Sequence, residues 1–114
     1  MQIRRGDLFY VEPAPTRGSE QSGARPVLVI QNDVGNEVAP TVIVAPLTTK
    51  SFSKLYPTHV NIDKGGTAGL KEDSTVLLSQ IRTIDKSRLE RRLGRLQTGL
   101  MRQVDRAIRI SLAL

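Results

Sequence analysis

The chain has 114 residues and no cysteine, and its 17 Lys and Arg against 11 Asp and Glu give a formal charge of +6. This length predicts one domain over residues 1–114, and the lack of cysteine excludes disulfides, thiolate catalysis and Cys-ligated zinc. Residues 1–81 carry eight basic and eight acidic side chains, so the whole excess lies in residues 82–114. That segment is therefore a candidate for contact with a polyanion or an acidic protein.

The sequence predicts neither a membrane segment nor a secretory signal. No apolar run reaches the ~18 residues that a membrane span requires. Residues 1–7 also lack the apolar core of a signal peptide. We therefore expect a cytoplasmic protein with no membrane partner.

Short apolar runs predict β-structure over most of the chain. In chain order, strands are predicted at 8–11, 26–30, 41–45, 58–62 and 74–78, with a further apolar segment at 81–84. The runs at 26–30 and 41–45 are almost wholly apolar, which is typical of strands buried on both faces. Polar residues, Gly and Pro predict the intervening loops and turns at 14–24, 31–36, 46–57 and 64–69. The segment 46–57 is expected to be mobile.

The last part of the chain predicts one amphipathic helix. Arginines lie mostly on one face of this helix. The opposite face carries apolar residues at helical spacing, namely Leu100, Val104, Ala107, Ile108 and Leu112. Thr98 is predicted as its N-cap. Residues 85–96 leave two interpretations open, because their leucines suit a helix and Gly94 interrupts it. These elements predict a mainly β fold, a small barrel or sandwich closed by a C-terminal helix.

Few residues offer conventional catalytic or metal-binding chemistry. His59 is the only histidine, so it cannot supply both the acid and the base of a two-histidine nuclease, and a structural role is favoured. No cluster of His, Asp and Glu has the spacing of metal ligands, and we predict neither a metal nor another cofactor. Residues 65–69 lack the Gly-Lys-Ser/Thr ending of a phosphate-binding loop and predict a turn.

Arg25 and two threonines are the polar residues of most interest. Because Pro26 forces the preceding residue into an extended conformation, Arg25 projects its guanidinium from the start of a strand, where it could bind an anion bidentately. On this feature alone, a surface ion pair with Glu20 is the favoured alternative. Thr48 and Thr49 place two hydroxyls just beyond a buried strand, where ligand groups tend to lie.

Five short motifs occur in an order that carries a family resemblance. They are Arg5-Gly6-Asp7, Gly18-Ser19-Glu20-Gln21 with Gly23, the segment 25–33 beginning Arg25-Pro26, Pro57-Thr58-His59-Val60, and the segment 80–86 beginning Gln80-Ile81-Arg82. Each motif is weak alone, but the set covers essentially the whole chain. The sequence resembles the MazF/PemK family of toxin endoribonucleases.

The resemblance implies a fold, an activity and partners. It implies an SH3-like small barrel with a C-terminal helix, a homodimer, and an acidic antitoxin whose flexible tail occupies the RNA groove. The implied reaction is metal-independent, sequence-specific cleavage of single-stranded mRNA to 2′,3′-cyclic phosphate and 5′-hydroxyl ends. The residues that match the family's catalytic pair are Arg25 and Thr48.

The resemblance also implies which residues bind the substrate. The positions that match the family's RNA contacts are Ser19, Glu20, Gln21, Asn32 and Gln80, and we add Thr49 from its place beyond the strand. Relatives often have an acidic residue where this chain has Ser79, which leaves the base preference open. The segment 49–56 is among the family's variable parts.

Two other functions remain open. Some relatives with the same barrel inhibit DNA gyrase by protein contact, and in that case the terminal helix rather than Arg25 and Thr48 would carry the function. A basic RNA-binding barrel without catalysis is the third alternative. The match at Arg25-Pro26 and Thr48 favours the nuclease.

Overall fold

Seven strands and two α-helices make up the part of the chain that the computed structural model describes, residues 1–11 and 25–114. They are β1 (Asp7–Val11), β2 (Arg25–Val29), α1 (Asp33–Val38), β3 (Thr41–Thr48), β4 (His59–Ile62), β5 (Ser74–Leu77), β6 (Arg82–Asp85), β7 (Leu89–Arg95) and α2 (Thr98–Leu112). Short 3₁₀ turns lie at Gly66–Ala68 and Lys86–Arg88. No helix in the described ranges is long and apolar enough to span a bilayer.

The strands form one antiparallel sheet that is organised around β3. The hydrogen-bonded order is β4-β5-β3-β2-β1-β7, and β6 also pairs with β3. One edge of β3 pairs with β2, while the other pairs with β6 along Thr41–Val44 and with β5 at Leu47 and Thr48. The mainly β, barrel-like fold with a C-terminal helix is therefore confirmed.

Each face of the sheet packs a separate hydrophobic core, since neighbouring strand residues point to opposite faces. On one face Leu28, Leu47 and Val76 pack with Val104 and Ala107 of α2. On the other face the buried side chains come from β1, β2, β3, β6 and β7, and include Phe9, Val27, Val29, Val44 and Ile84. This explains why 26–30 and 41–45 are continuously apolar, and it confirms their burial on both faces.

The ambiguous segment 85–96 is a strand rather than a helix. β7 pairs with β1 at the edge of the sheet. Gly94 is required there because a Cβ at this position would lie 2.2 Å from the carbonyl oxygen of Thr67. The 3₁₀ turn that follows β4 therefore packs directly on β7, which brings the two ends of the sheet together.

Three local predictions were wrong. Gly35 and Asn36, predicted as a turn, lie within α1, and Asn32 caps this helix by accepting a hydrogen bond of 2.8 Å from the Gly35 N–H. Thr98 is the first residue of α2 rather than its N-cap, and Gln97 precedes it without a side-chain capping bond. β3 runs on to Thr48, so the first residues of the predicted polar segment 46–57 belong to a buried strand.

The Arg5-Gly6-Asp7 motif connects the N-terminal segment to the residues that follow β2 and to α2. Gly6 has a φ of +96°, which favours glycine. Arg5 donates from Nε to the carbonyl of Ile30 at 2.8 Å and pairs with Asp105 of α2 at 2.7 Å. Its backbone N–H donates to Asp33 at 2.7 Å, and this bond is the main reason that the pKa of Asp33 is lowered.

Asp7 forms a second link, between β1 and β7. It is 2% exposed and accepts hydrogen bonds from Arg95 at 2.9 Å, Arg92 at 3.2 Å and the Arg4 N–H at 2.9 Å. A buried carboxylate needs such partners to offset its loss of hydration. Two arginines of the basic C-terminal segment therefore neutralise an internal charge.

We expect Gly94→Ala to destabilise the fold, because the added Cβ would overlap backbone carbonyl atoms that cannot rotate away. The loss in free energy of unfolding should be about 3 kcal/mol, measured by urea denaturation. Gly99→Ala is the matched control: it meets no atom within 4 Å and, in a helix, should gain up to about 1 kcal/mol. Equal stabilities of the two variants would contradict the close approach of β7 to Thr67.

Candidate functional site

A row of polar side chains crosses the sheet where β2 begins and β3 ends. Thr48 lies opposite Thr75 of β5, and Thr75 lies opposite Asn61 of β4. The β2–β3 register pairs Val27 with Pro46, and continued to the start of β2 it brings Arg25 opposite Thr48. Directly opposite residues project to the same face of a sheet. We call Arg25, Thr48, Thr75 and Asn61 the polar row.

Hydrogen bonds hold the middle of the polar row in place. Thr48 and Thr75 are 6% and 7% exposed. The Thr75 hydroxyl donates to Asn61 Oδ1 at 2.8 Å, and the Thr48 hydroxyl oxygen accepts from the Lys50 N–H at 3.1 Å. Because Thr48 accepts this bond, its own proton can be donated to another acceptor. Arg25 is half-buried at the end of the row.

A cavity of about 380 Å³ adjoins the polar row. Asn61, Thr75 and Thr49 line it, together with residues 50–52 and 54–56. Two rings from this segment pack on His59, with centroids 4.5 Å (Phe52) and 4.7 Å (Tyr56) from the imidazole. Burial lowers the pKa of His59 below its usual 6.5. Part of the segment expected to be mobile therefore forms a wall of the cavity.

The structure brings only some of the predicted site residues together. Arg25 and Thr48 share the polar row, and Thr49 lines the adjoining cavity. Asn32 does not join them: Arg25 begins β2, whereas Asn32 lies beyond the end of this strand and caps α1. The remaining substrate-binding predictions, Ser19, Glu20 and Gln21, lie outside the described residues, as does Glu20 as an ion-pair partner for Arg25.

Gln80 lies in the turn between β5 and β6. Its N–H donates to the carbonyl of Leu77 at 3.1 Å. Among the described residues its Oε1 is buried without a hydrogen-bond partner. A buried acceptor with no hydrogen-bond partner is costly in free energy.

Thr75 and Asn61 are the members of the row that the sequence did not reveal. Both lie in strands that were predicted, and neither belongs to a recognisable motif. Only the register of β5 with β3, and of β4 with β5, places them beside Thr48. Within residues 1–11 and 25–114, no group of three or more His, Asp or Glu side chains could hold a metal ion.

Comparison with known proteins gives consistent matches over the full length. The family model described as "PemK-like, MazF-like toxin of type II toxin-antitoxin system" matches residues 4–112. Endoribonuclease EndoA of Bacillus subtilis (strain 168) is 50% identical over 114 residues, which is 100% of this chain and 97% of the relative.

Solved structures match in the same way. An endoribonuclease in complex with its cognate antitoxin, from Mycobacterial species, has a TM-score of 0.79 at 26% identity, covering 98% of this chain and 96% of that one. MazF from Deinococcus radiodurans has a TM-score of 0.82 at 24% identity, covering 100% and 99% of the two chains. The second match concerns the fold alone.

Because burial lowers the pKa of His59, the unfolded chain takes up this proton at a higher pH than the folded one. The contribution of His59 to stability is therefore complete above about pH 6.5 and is lost as the pH falls from there through the lowered pKa. We expect the free energy of unfolding to fall as the pH drops below about 6.5, and to fall less in His59→Gln, as measured by urea denaturation. The same decrease in both proteins would show that His59 is not responsible.

Proposed function

The chain belongs to the PemK-like, MazF-like toxin family of type II toxin–antitoxin systems, and we propose that it cleaves single-stranded mRNA at a specific sequence without a metal ion. The products would be a 2′,3′-cyclic phosphate and a 5′-hydroxyl. The observation that carries this proposal is the polar row, in which a guanidinium and a buried hydroxyl lie on adjacent strands and the same face. The 50% identity to an endoribonuclease over the whole chain supports it.

This reaction requires the protein mainly to position the RNA and to stabilise the charge that develops on its phosphate. The 2′-hydroxyl of the RNA attacks the neighbouring phosphorus, so that a 2′-O–P bond forms while the P–5′-O bond breaks. The 2′-hydroxyl gives its proton to a water molecule, and the departing 5′-oxygen gains one. Because the substrate supplies its own nucleophile, the protein must align it, stabilise the charge of the pentacoordinate phosphorane and assist proton transfer.

Arg25 and Thr48 would have different roles in this reaction. In this proposal the guanidinium chiefly stabilises the charge on the non-bridging oxygens, and any proton that it gives to the 5′-oxygen is regained from water. It is a poor general base, because it stays protonated below about pH 12. In this proposal Thr48 donates a hydrogen bond from its hydroxyl to the same phosphate. Opposite residues on antiparallel strands have Cα atoms about 5 Å apart, so the two side chains can reach one phosphate.

Base recognition would come from residues around this row. We propose that Gln80 and Thr49 contact bases near the cut, together with Ser19, Glu20 and Gln21. Asn32, at the other end of β2, would contact the RNA further along the strand. Its side chain accepts a bond from Gly35, and its amide N–H groups can still donate to RNA.

Membership of the family also suggests an oligomeric state and a protein that regulates the activity. We propose a homodimer and an acidic antitoxin protein as partners, in the cytoplasm, with residues 1–114 as a single toxin domain. A solved relative is in complex with its cognate antitoxin. The gyrase alternative has no comparable support, because two of the relatives above are named as endoribonucleases. A barrel that only binds RNA would give no cyclic-phosphate product.

Replacing Arg25 should stop cleavage while the fold is retained. In EDTA, we expect Arg25→Ala to abolish cleavage of a single-stranded RNA, and Arg25→Lys to fail badly because an ammonium cannot bind the phosphate bidentately. The products are assayed for cyclic-phosphate and 5′-hydroxyl ends, and thermal unfolding controls for folding. Full activity of Arg25→Ala would refute the mechanism.

For Thr48 the matched pair is Thr48→Val and Thr48→Ser. Valine keeps the shape and loses the donor, so kcat should fall about 10²-fold to 10³-fold. Serine keeps the hydroxyl and should retain most of the activity. Equal activity of the two variants would exclude the hydroxyl from the reaction.

The exposed arginines of α2 should act on encounter rather than on chemistry. Arg102, Arg106 and Arg109 are exposed while Val104 and Ala107 face the core. The triple Arg→Gln variant should bind RNA or the acidic antitoxin more slowly, with a flatter salt dependence. Single-turnover cleavage at saturating RNA should not change, and the triple Arg→Lys variant should behave as the wild type. A collapse of single-turnover cleavage would place these arginines in the cleavage step.

A further inference from the structure

The cavity beside the polar row has the size, walls and position of a site for a single nucleobase. We define the aromatic pocket as this cavity of about 380 Å³ with Phe52, Tyr56 and His59 on one wall and Asn61 and Thr75 on another. We propose that the aromatic pocket binds one unpaired RNA base next to the scissile phosphate, with Tyr56 as its stacking surface and Asn61 as the residue that distinguishes bases. This inference rests on the proposed nuclease function and names a part of its substrate site.

The three rings support one another and leave a face for a ligand. The Tyr56 and His59 rings lie at 39° with centroids 4.7 Å apart, while Phe52 meets His59 edge-on at 4.5 Å. Tyr56 is nevertheless 45% exposed. An exposed ring that is held in place by its neighbours loses little entropy when a base stacks on it.

The polar wall is arranged to read the edge of a base. The Thr75 hydroxyl donates to Asn61 Oδ1 at 2.8 Å, which fixes the orientation of the amide. The Asn61 Nδ2 group then remains available as a donor to a ring nitrogen or carbonyl of a base. Since Thr75 and Asn61 form an opposed pair in the sheet, this wall is rigid.

The charged side chains that line the aromatic pocket balance one another, which suits an uncharged base. Asp63 and Asp73 line it, and Asp73 accepts a hydrogen bond of 2.8 Å from the Lys64 N–H. The two carboxylates can accept bonds from the amino groups of bases. Lys50 and Lys54 also line the cavity, in the segment that carries the aromatic rings, and can attract the RNA backbone.

The aromatic pocket is continuous with the proposed catalytic residues. Asn61 and His59 are two positions apart on β4, and therefore point to the same face. Thr75 lies between Asn61 and Thr48 in the polar row. A base in the pocket is therefore attached to a nucleotide whose phosphate can reach Thr48 and Arg25.

The test uses full-length protein and single-stranded RNA oligonucleotides randomised at the positions around the cut. Tyr56→Ala should raise KM about 10-fold to 100-fold with a smaller effect on kcat, and should relax the base preference at one position. Tyr56→Phe keeps the ring and should restore both. Asn61→Ala should relax the preference at the same position. Val38→Ala, an exposed apolar change on α1, should change nothing.

Each outcome is decisive. If the wild type cleaves RNA while Tyr56→Ala and Asn61→Ala keep its KM and base preference, the aromatic pocket does not bind a base. If Tyr56→Ala spares RNA cleavage and weakens binding of an acidic antitoxin, the pocket serves a protein partner and the inference is overturned. If Tyr56→Ala does not fold, Tyr56→Leu keeps the bulk without the π face and should show the same relaxed preference. A wild type that cleaves no RNA refutes the proposed function itself.

Discussion

The hydrogen-bond pairing of β3 is the constraint on which the rest of the molecule depends. Each backbone N–H and C=O can enter one ladder, so β3 pairs with β2 along one edge and divides the other between β6 and β5. This division folds the sheet and creates two faces with separate cores. It also leaves Thr48, the last paired residue of β3, buried between the ends of β2 and β5.

The strands that the sequence predicted well are those whose burial is a local property. The runs around Leu28 and Val44 are buried, and their apolar composition alone predicts this. By contrast, β7 depends on a contact between Gly94 and Thr67 that no local pattern contains. α1 was missed for a different reason, because Asn32 and Gly35 suit a turn as well as a helix cap.

The candidate site divides in the same way. Arg25 could be selected from the sequence because Pro26 fixes its backbone, and Thr48 because it follows a buried strand; the family resemblance then joined them. Thr75 and Asn61 could not be selected from the sequence, because a one-residue change of strand register would place both side chains on the opposite face of the sheet. The charge of the C-terminal segment was also only partly interpretable, because Arg92 and Arg95 bind the buried Asp7.

The link between Arg5 and Asp105 joins residues that are 100 positions apart. The strand that pairs with the far edge of β1 is also the last strand of the chain. A ribosome must therefore release the chain as far as Arg95 before the first strand acquires its second neighbour. Closing so long a loop is slow, because its entropy is lost before the contacts form. Synthesis itself thus delays the completion of the fold, and an incomplete chain would expose both β1 and the core that α2 covers.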